Sequence, residues 1–373
     1  MSLRIYAGLA LTLGAAAAAF AQQALTLEQI VQKHVDAIGG IEKIHALKSL
    51  VIRGMYHEGG EIPPGTPIVA RNYMAFLRPC YQVIGDPANP NPDLREGFDG
   101  SSWEYYGDPG VVIRTVGAAA AATRHTAEFL HDSLVDYREN GTKLELQGTE
   151  KIDGKDCYRI FVTLSDGFRK YLFVDVESFM IVAGRGSAPI HAFGAPVTTE
   201  GRFLDYQPTN GVLMPHRIIE VELATGKVLS DARNVTIEAN TITDPSIFSP
   251  APRKKTPLQD LLEKLYEERT DSVSVLYSYR LFRRTHPDVD TREGIEFIGY
   301  QMAKTKDYPS SIELLRENAA DYPNSASAQF GLGRALQASG DSEGAAKAFQ
   351  QALKIDPQFR ALIYLTHQRP GCD

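Results

Sequence analysis

Between Ser49 and about Asn240 the chain reads as one short run of Val, Ile, Tyr, Phe and Thr after another, each broken by Gly, Pro, Asn or Asp. The breaks include Asp153-Gly154, Asp166-Gly167 and Asn210-Gly211, dipeptides that accept the positive φ angles of a two-residue hairpin turn. Hairpin following hairpin pairs sequence neighbours, which restricts this stretch to one large antiparallel sheet. Strands are expected at Leu50–Tyr56 and Ala70–Leu77 near its start, at Lys143–Lys151, Lys155–Leu164 and Phe168–Asp175 in its middle, and at Met180–Gly184, Leu213–Glu222 and Val228–Ile237 towards its close. None is expected between Tyr106 and Lys143, where Ala118 to Tyr137 has an Ala-rich helical character. Pro63, Pro64, Pro67 and the run from Pro87 to Pro92 mark exposed loops.

The flanks have a different period. Leu27, Ile30, Val31, Val35 and Ile38 recur at helical spacing, and Gly39-Gly40 suits a left-handed helix end, with a short second helix expected over Glu42 to Leu47. After Pro245, Pro250, Pro252 and the basic Arg253-Lys254-Lys255, read as a solvated hinge, the chain turns helical. Aligned on itself with an offset of about 34 residues, this last segment superposes Ile298-Gly299 on Leu332-Gly333, Leu315 on Phe349 and Pro323 on Pro357. Leu332, Gly333, Leu336, Ala345, Phe349, Ala352 and Pro357 stand at the spacing of the tetratricopeptide repeat, which this segment resembles. The earlier copy departs from it, with Ser311 and Asn318 where Ala is usual. Gly333 and Ala345 would let two helices approach, Phe349 would fill the gap and Pro357 would end the second helix. The resemblance implies a protein or peptide partner, held by the first helix of each pair.

An early Arg4, an uncharged run from Ile5 to Phe20 and the small residues Ala19 and Ala21 form a secretory signal pattern, with cleavage expected after Ala21. No cysteine sits at the cleavage point to carry a lipid anchor, and no later segment is long and apolar enough to span a membrane. The expected organisation is a signal peptide at 1–21, a sheet domain at 22–244, a linker at 245–256 and a helical repeat domain at 257–370, in a protein that is periplasmic or secreted. A net charge of -7 with scattered Lys and Arg speaks against nucleic acid as a partner. Cys80, Cys157 and Cys372 leave two arrangements open, a Cys80–Cys157 bridge or three unpaired thiols.

Several stretches resemble the Lol-type outer-membrane lipoprotein-sorting proteins. They are Ala37-Ile38-Gly39-Gly40, Ile44 to Leu50 leading into the first strand, Phe98-Asp99-Gly100 before Trp103, the hairpin Gly148 to Leu164, and Asp205-Tyr206 followed by Gly211-Val212 and Pro215. The resemblance implies an α+β fold, a strongly curved open antiparallel sheet or half-barrel around a helix plug, with the all-α repeat domain after it. It also implies an apolar hollow for a lipid or a lipoprotein acyl chain. On the strand from Arg169 to Val176, Tyr171 and Phe173 occupy one face and Leu172, Val174 and Val176 the other, so both faces need a cover. Tyr73, Phe76, Trp103, Tyr105, Phe161, Tyr171 and Phe173 are the candidates for the hollow.

Catalysis finds little support. The chain has no His-Glu-x-x-His, Gly-x-Ser-x-Gly or P-loop, and no Gly-x-Gly-x-x-Gly entering a helix. Gly340-Asp341-Ser342 falls in a turn between repeat helices, and His125 and His131 are set about 120° apart on a continuous helix, which does not suit a shared metal. No cofactor or metal is expected. Two readings lead, ahead of an unrecognised hydrolase: a carrier or sensor of an apolar ligand whose repeats recruit a partner, and an assembly protein whose sheet is filled by its own side chains.

Overall fold

A computed structural model of the protein describes residues 25–127, 133–189 and 196–359. The expected signal peptide, His131, Cys372 and the last residues of the repeat segment lie outside the described residues. The chain starts with α1 (Leu27–Ala37), whose Thr26 and Gln29 form a reciprocal cap, and α2 (Ile41–Ala46). Between them Gly39 has φ +130°, and a Cβ there would stand 2.3 Å from the Gly211 carbonyl oxygen. Only glycine lets the helix end sit on that hairpin turn, where Leu213 N donates to Ile38 O at 2.8 Å.

Six strands run outward from the middle of the sheet: β1 (Ser49–Glu58), β2 (Asn72–Leu77), β3 (Tyr81–Ile84), β4 (Leu94–Phe98), β5 (Ser102–Tyr106) and β6 (Val111–Arg114). Helix α3 (Gly117–Ala127) then crosses to the far edge. From there β7 (Lys143–Ile152), β8 (Lys155–Thr163), β9 (Arg169–Asp175), β10 (Ile181–Pro189), β11 (Pro196–Thr209), β12 (Val212–Glu222) and β13 (Val228–Ala239) return to pair with β1. The result is one open antiparallel sheet of 13 strands with β6 and β7 at its ends. The turn dipeptides do what their chemistry allows: Asp153, Gly154, Asn210 and Gly211 all have positive φ.

Cross-strand partners share a face, so the register divides the sheet into two sides. The inner side carries Leu50, Ile52, Phe76, Ile160, Val162, Leu172 and Val174, packed with Ile30, Val31 and Val35 of α1 and with Ile44 of α2. Helices α1 and α2 are therefore the plug. The outer side carries Val51, Tyr73, Ala75, Val83 and Trp103, covered by Phe248 of the short 3-10 turn Pro245–Phe248.

Strand β6, absent from the sequence expectation, is the edge on which the helical segment docks. Val111 and Ile113 share a core with Leu261, Leu262, Leu265 and Tyr266 of α4 (Pro257–Glu267) and with Ile295 and Ile298 of α6 (Arg292–Lys304). The exposed edge is also closed chemically, since Glu263 accepts from Val112 N at 2.8 Å and Gln259 donates to Pro109 O at 3.0 Å. The remaining helices are α5 (Ser272–Thr285), α7 (Tyr308–Asp321), α8 (Ala326–Ala338) and α9 (Ser342–Ile355). They complete the hairpins α4/α5, α6/α7 and α8/α9.

Candidate functional site

The inner face is not covered evenly. On β10 and β11 the inward positions include Gly184, Gly186 and Gly201, with Gly184 paired to Leu172 and to Gly201 across its two neighbours. A strand position without a side chain weakens the strand and often marks close approach by a ligand or another backbone. Here α3 passes over, touching β3, β4 and β5 on one arm and β10 on the other. Yet among the described residues an added Cβ at Gly186 would meet only Lys170 Cβ at 3.6 Å and Phe168 Cζ at 3.7 Å. At Gly184 the nearest atoms are Leu172 Cδ2 and Phe203 Cε2, both at 3.5 Å, and at Gly201 the nearest is Phe203 at 3.8 Å. All of these belong to the sheet and its turns, so the helix does not press on the glycines. Beside them runs an apolar row, Phe203 opposite Ile218, Ile218 opposite Ala232 and Ala232 opposite Tyr56. Phe203 and Ile218 are half-buried, and Tyr56 is 48% exposed.

The cover itself is lightly held. Only Ala119 and Ala127 of α3 are buried, and a methyl group removes little apolar area from water. The far end is fixed by His125, whose Nε2 lies 2.7 Å from Asp166 and whose ring centroid lies 4.3 Å from that of Phe168. Asp166 is held below the usual carboxylate range: its partial burial opposes this, but the Phe168 N–H and His125 outweigh it.

The seven aromatic candidates do not come together. Phe76 alone is on the inner face, fully covered by the plug. Tyr73, Trp103 and Tyr105 lie on the outer face of the first arm, and Phe161, Tyr171 and Phe173 on the outer face of the second. Their cover is arginine. Arg53 lies over Tyr73, Arg253 over Tyr105, Arg159 over Tyr171 and Arg185 over Phe173, at 4.7 to 5.7 Å from the ring centroids. Trp103 also donates from Nε1 to Phe248 O at 2.8 Å. Glycine in a strand was the signal for the inner strip, and sequence reasoning took Gly184 as a strand end instead.

Where the first arm meets the repeats, the inner face turns polar. Glu104 lies opposite Glu96, accepts a 2.5 Å hydrogen bond from Tyr106 and is 3% exposed. Burial pushes its carboxyl up to about 7, with Glu96 adding to the rise and Tyr106 and Lys304 opposing it. Burial in turn lowers Lys304.

The repeat residues meet as pairs. A Cβ on Gly333 would stand 2.5 Å from the Phe349 ring, and one on Gly299 2.5 Å from Leu315. Ala345 and Phe349 are buried, Leu332 packs against them, and Pro323 and Pro357 lie in the turns after α7 and α9. Asp341 caps α9 through Gly344 N, the structural task of that turn. Cys80 and Cys157 form no disulfide, and Cys157 is buried beside Phe173. No group of three metal-ligating side chains occurs among the described residues. No helix among them is long and apolar enough to cross a membrane.

Residues 326–359 match the tetratricopeptide repeat family. The sheet part is similar to a LolA superfamily protein from Nitrosomonas europaea, at 18% identity and a TM-score of 0.38 over 61% of this chain and 99% of that one. It is also similar to a domain from Vibrio parahaemolyticus assigned to outer membrane lipoprotein sorting, at 12% identity and a TM-score of 0.36 over 59% and 94% of the two chains. A DUF1329 family protein from Desulfovibrio piger aligns at 12% identity and a TM-score of 0.38 over 60% and 96%. A search among curated proteins finds no match.

Proposed function

We propose that the protein is an exported binding protein, a periplasmic carrier or sensor that holds an apolar ligand such as a lipid or a lipoprotein acyl chain, while its repeats recruit a protein partner. The observation that carries this reading is the strip of Gly184, Gly186 and Gly201 under α3, where among the described residues no side chain of the helix covers the strand backbone beside Phe203 and Ile218. Bare backbone under a lightly anchored helix gives an alkyl chain van der Waals contact without displacing packed side chains. The roles of the two segments are separate: the sheet binds, and the helical hairpins connect.

The test is lipid analysis of the protein purified from the exported fraction, by native mass spectrometry and organic extraction. Bound acyl lipid is expected, and Gly201→Leu, which fills the strip, is expected to abolish it while circular dichroism stays unchanged. A protein that emerges without lipid and refuses added phospholipid sinks this reading. The assembly-protein reading would then rest on the plug, which fills the rest of the inner face.

A further inference from the structure

One apolar stripe on the repeat helices has no cover among the described residues. On α5, Val273, Tyr277 and Leu281 follow one another at i, i+4 and i+8 and therefore lie on one side of the helix. They are 74%, 62% and 37% exposed. Val273 and Tyr277 line a groove of about 820 Å³ between α5 and α7, the second helices of successive pairs. The first helices of the two earlier pairs, α4 and α6, are not free for a partner in the same way. Leu261 and Leu262 of α4 and Ile298 of α6 share a core with Val111 and Ile113, and Phe297 of α6 meets Tyr106 edge-on at 5.1 Å. This chain's own sheet occupies the side that those helices would offer.

The groove carries a charge pattern as well. Arg280 pairs with Glu317 at 2.5 Å and Arg283 with Asp321 at 3.2 Å, bridging its two walls. Arg284 and Glu313 line it too, and neither forms a salt bridge among the described residues. Arg280 and Glu317 are 37 residues apart, and the same offset sets Glu313 level with Leu276. Arg284 stands about 12 Å further along α5. The apolar stripe thus has near one end an acid that feels the charge of Arg280 but makes no salt bridge among the described residues, and about two turns away a base that makes none either.

We infer that this groove takes an amphipathic helix of a partner protein, which covers Val273, Tyr277 and Leu281 and carries a basic residue opposite Glu313 and an acidic one, two turns along, opposite Arg284. The inference rests on the repeats recruiting a protein and is independent of the lipid strip. It replaces an exposed apolar stripe with a buried one and pairs both leftover charges, the combination that gives an interface both affinity and orientation.

The experiment uses the full mature chain and a stapled probe helix of about four turns, with Leu along one side and Lys and Glu placed two turns apart, followed by fluorescence anisotropy. Saturable binding is expected, weakened at least about tenfold by Tyr277→Asp, a loss of about 1.4 kcal/mol. Arg284→Glu weakens it too, and a probe with its Glu changed to Lys regains the affinity. Both positions are exposed, so circular dichroism is expected to stay unchanged. Binding indifferent to both substitutions, or none at all, overturns the proposal. A dimer in sedimentation that Tyr277→Asp breaks would also overturn it, since the face would then belong to a second copy. Lipid content read in the same samples separates the two ideas: Tyr277→Asp leaves it unchanged, and Gly201→Leu loses lipid while keeping the probe.

Discussion

The hydroxyl of Tyr106 donates a 2.5 Å hydrogen bond to Glu104, two residues back on the same strand, at the point where the sheet receives the repeats. Burial raises Glu104 from the ordinary carboxylate value to about 7, Glu96 across the β4–β5 pair adds to the rise, and Lys304 of α6 opposes it. Glu296, on the same helix, is also pushed up to about 7 by burial, against Arg334 and Ser327.

Both shifts have one sign. A carboxyl raised above its unfolded value stabilises the fold in its protonated form, so the contribution is complete below about 4.5 and is lost as pH rises through about 7. For Glu104 it is on the order of 3 kcal/mol. Thermal unfolding followed from pH 5 to pH 8 is expected to show a falling midpoint, and Glu104→Gln is expected to flatten part of that slope. An unchanged slope in the variant would remove Glu104 from the account.

The approach of α8 and α9 depends on an absent side chain. Phe349 packs its ring where a Cβ on Gly333 would be, at 2.5 Å. Gly333→Ala is expected to cost about 1 to 3 kcal/mol, the range for an overpacked core. Phe349→Leu in the same chain is expected to return part of that loss, because the two changes share one space and do not add. Urea unfolding of the two single variants and the double variant decides it, and strict additivity would show that Gly333 acts by some other means.

Asp231 is fully buried and accepts three hydrogen bonds: from Ile62 N at 3.0 Å, and from Arg217 at 3.1 and 2.8 Å on its two oxygens. It ties the loop between β1 and β2 to the outer face of β12 and β13. Asp231→Ala leaves Arg217 with only the exposed Glu61 as a counter-ion, and breaking a buried pair costs about 3 to 5 kcal/mol. The same variant is expected to open residues 59–71 to limited proteolysis, while Glu61→Ala leaves them protected. Equal cleavage in both variants would place the anchor elsewhere.

The hairpins were legible because their turns need residues that accept positive φ, and Asp153-Gly154 and Asn210-Gly211 announce that need locally. Strand β6 was hidden by its length, four residues beside an Ala-rich helix, and its partners in α4 and α6 are more than a hundred positions away. The aromatic candidates illustrate a different limit. Tyr171 and Phe173 were placed on one face correctly by alternation, but nothing local says that Arg159 and Arg185 will lay their stems and guanidinium groups over them. Read one by one, arginines count as polar and are not expected to cover rings. Glycines in strands carried the opposite message, a side-chain-free floor, and are easily read as breaks.

The cover of that floor is the last point at which the geometry can be tested. Helix α3 is held on the second arm by His125, bonded to Asp166 at 2.7 Å with its ring tilted against Phe168, while its own buried side chains are alanines. A partly exposed hydrogen bond to a carboxylate is worth about 1 kcal/mol and an aromatic ring contact a similar amount. His125→Ala should therefore leave global unfolding within about 2 kcal/mol of the parent but loosen α3 selectively. Hydrogen exchange at residues 119–127 is expected to quicken by roughly threefold to tenfold, and transfer of a fluorescent phospholipid out of the protein is expected to quicken with it. Faster exchange in α3 with unchanged lipid release would mean that the helix does not gate the strip. Unchanged exchange would mean that His125 does not hold the helix at all.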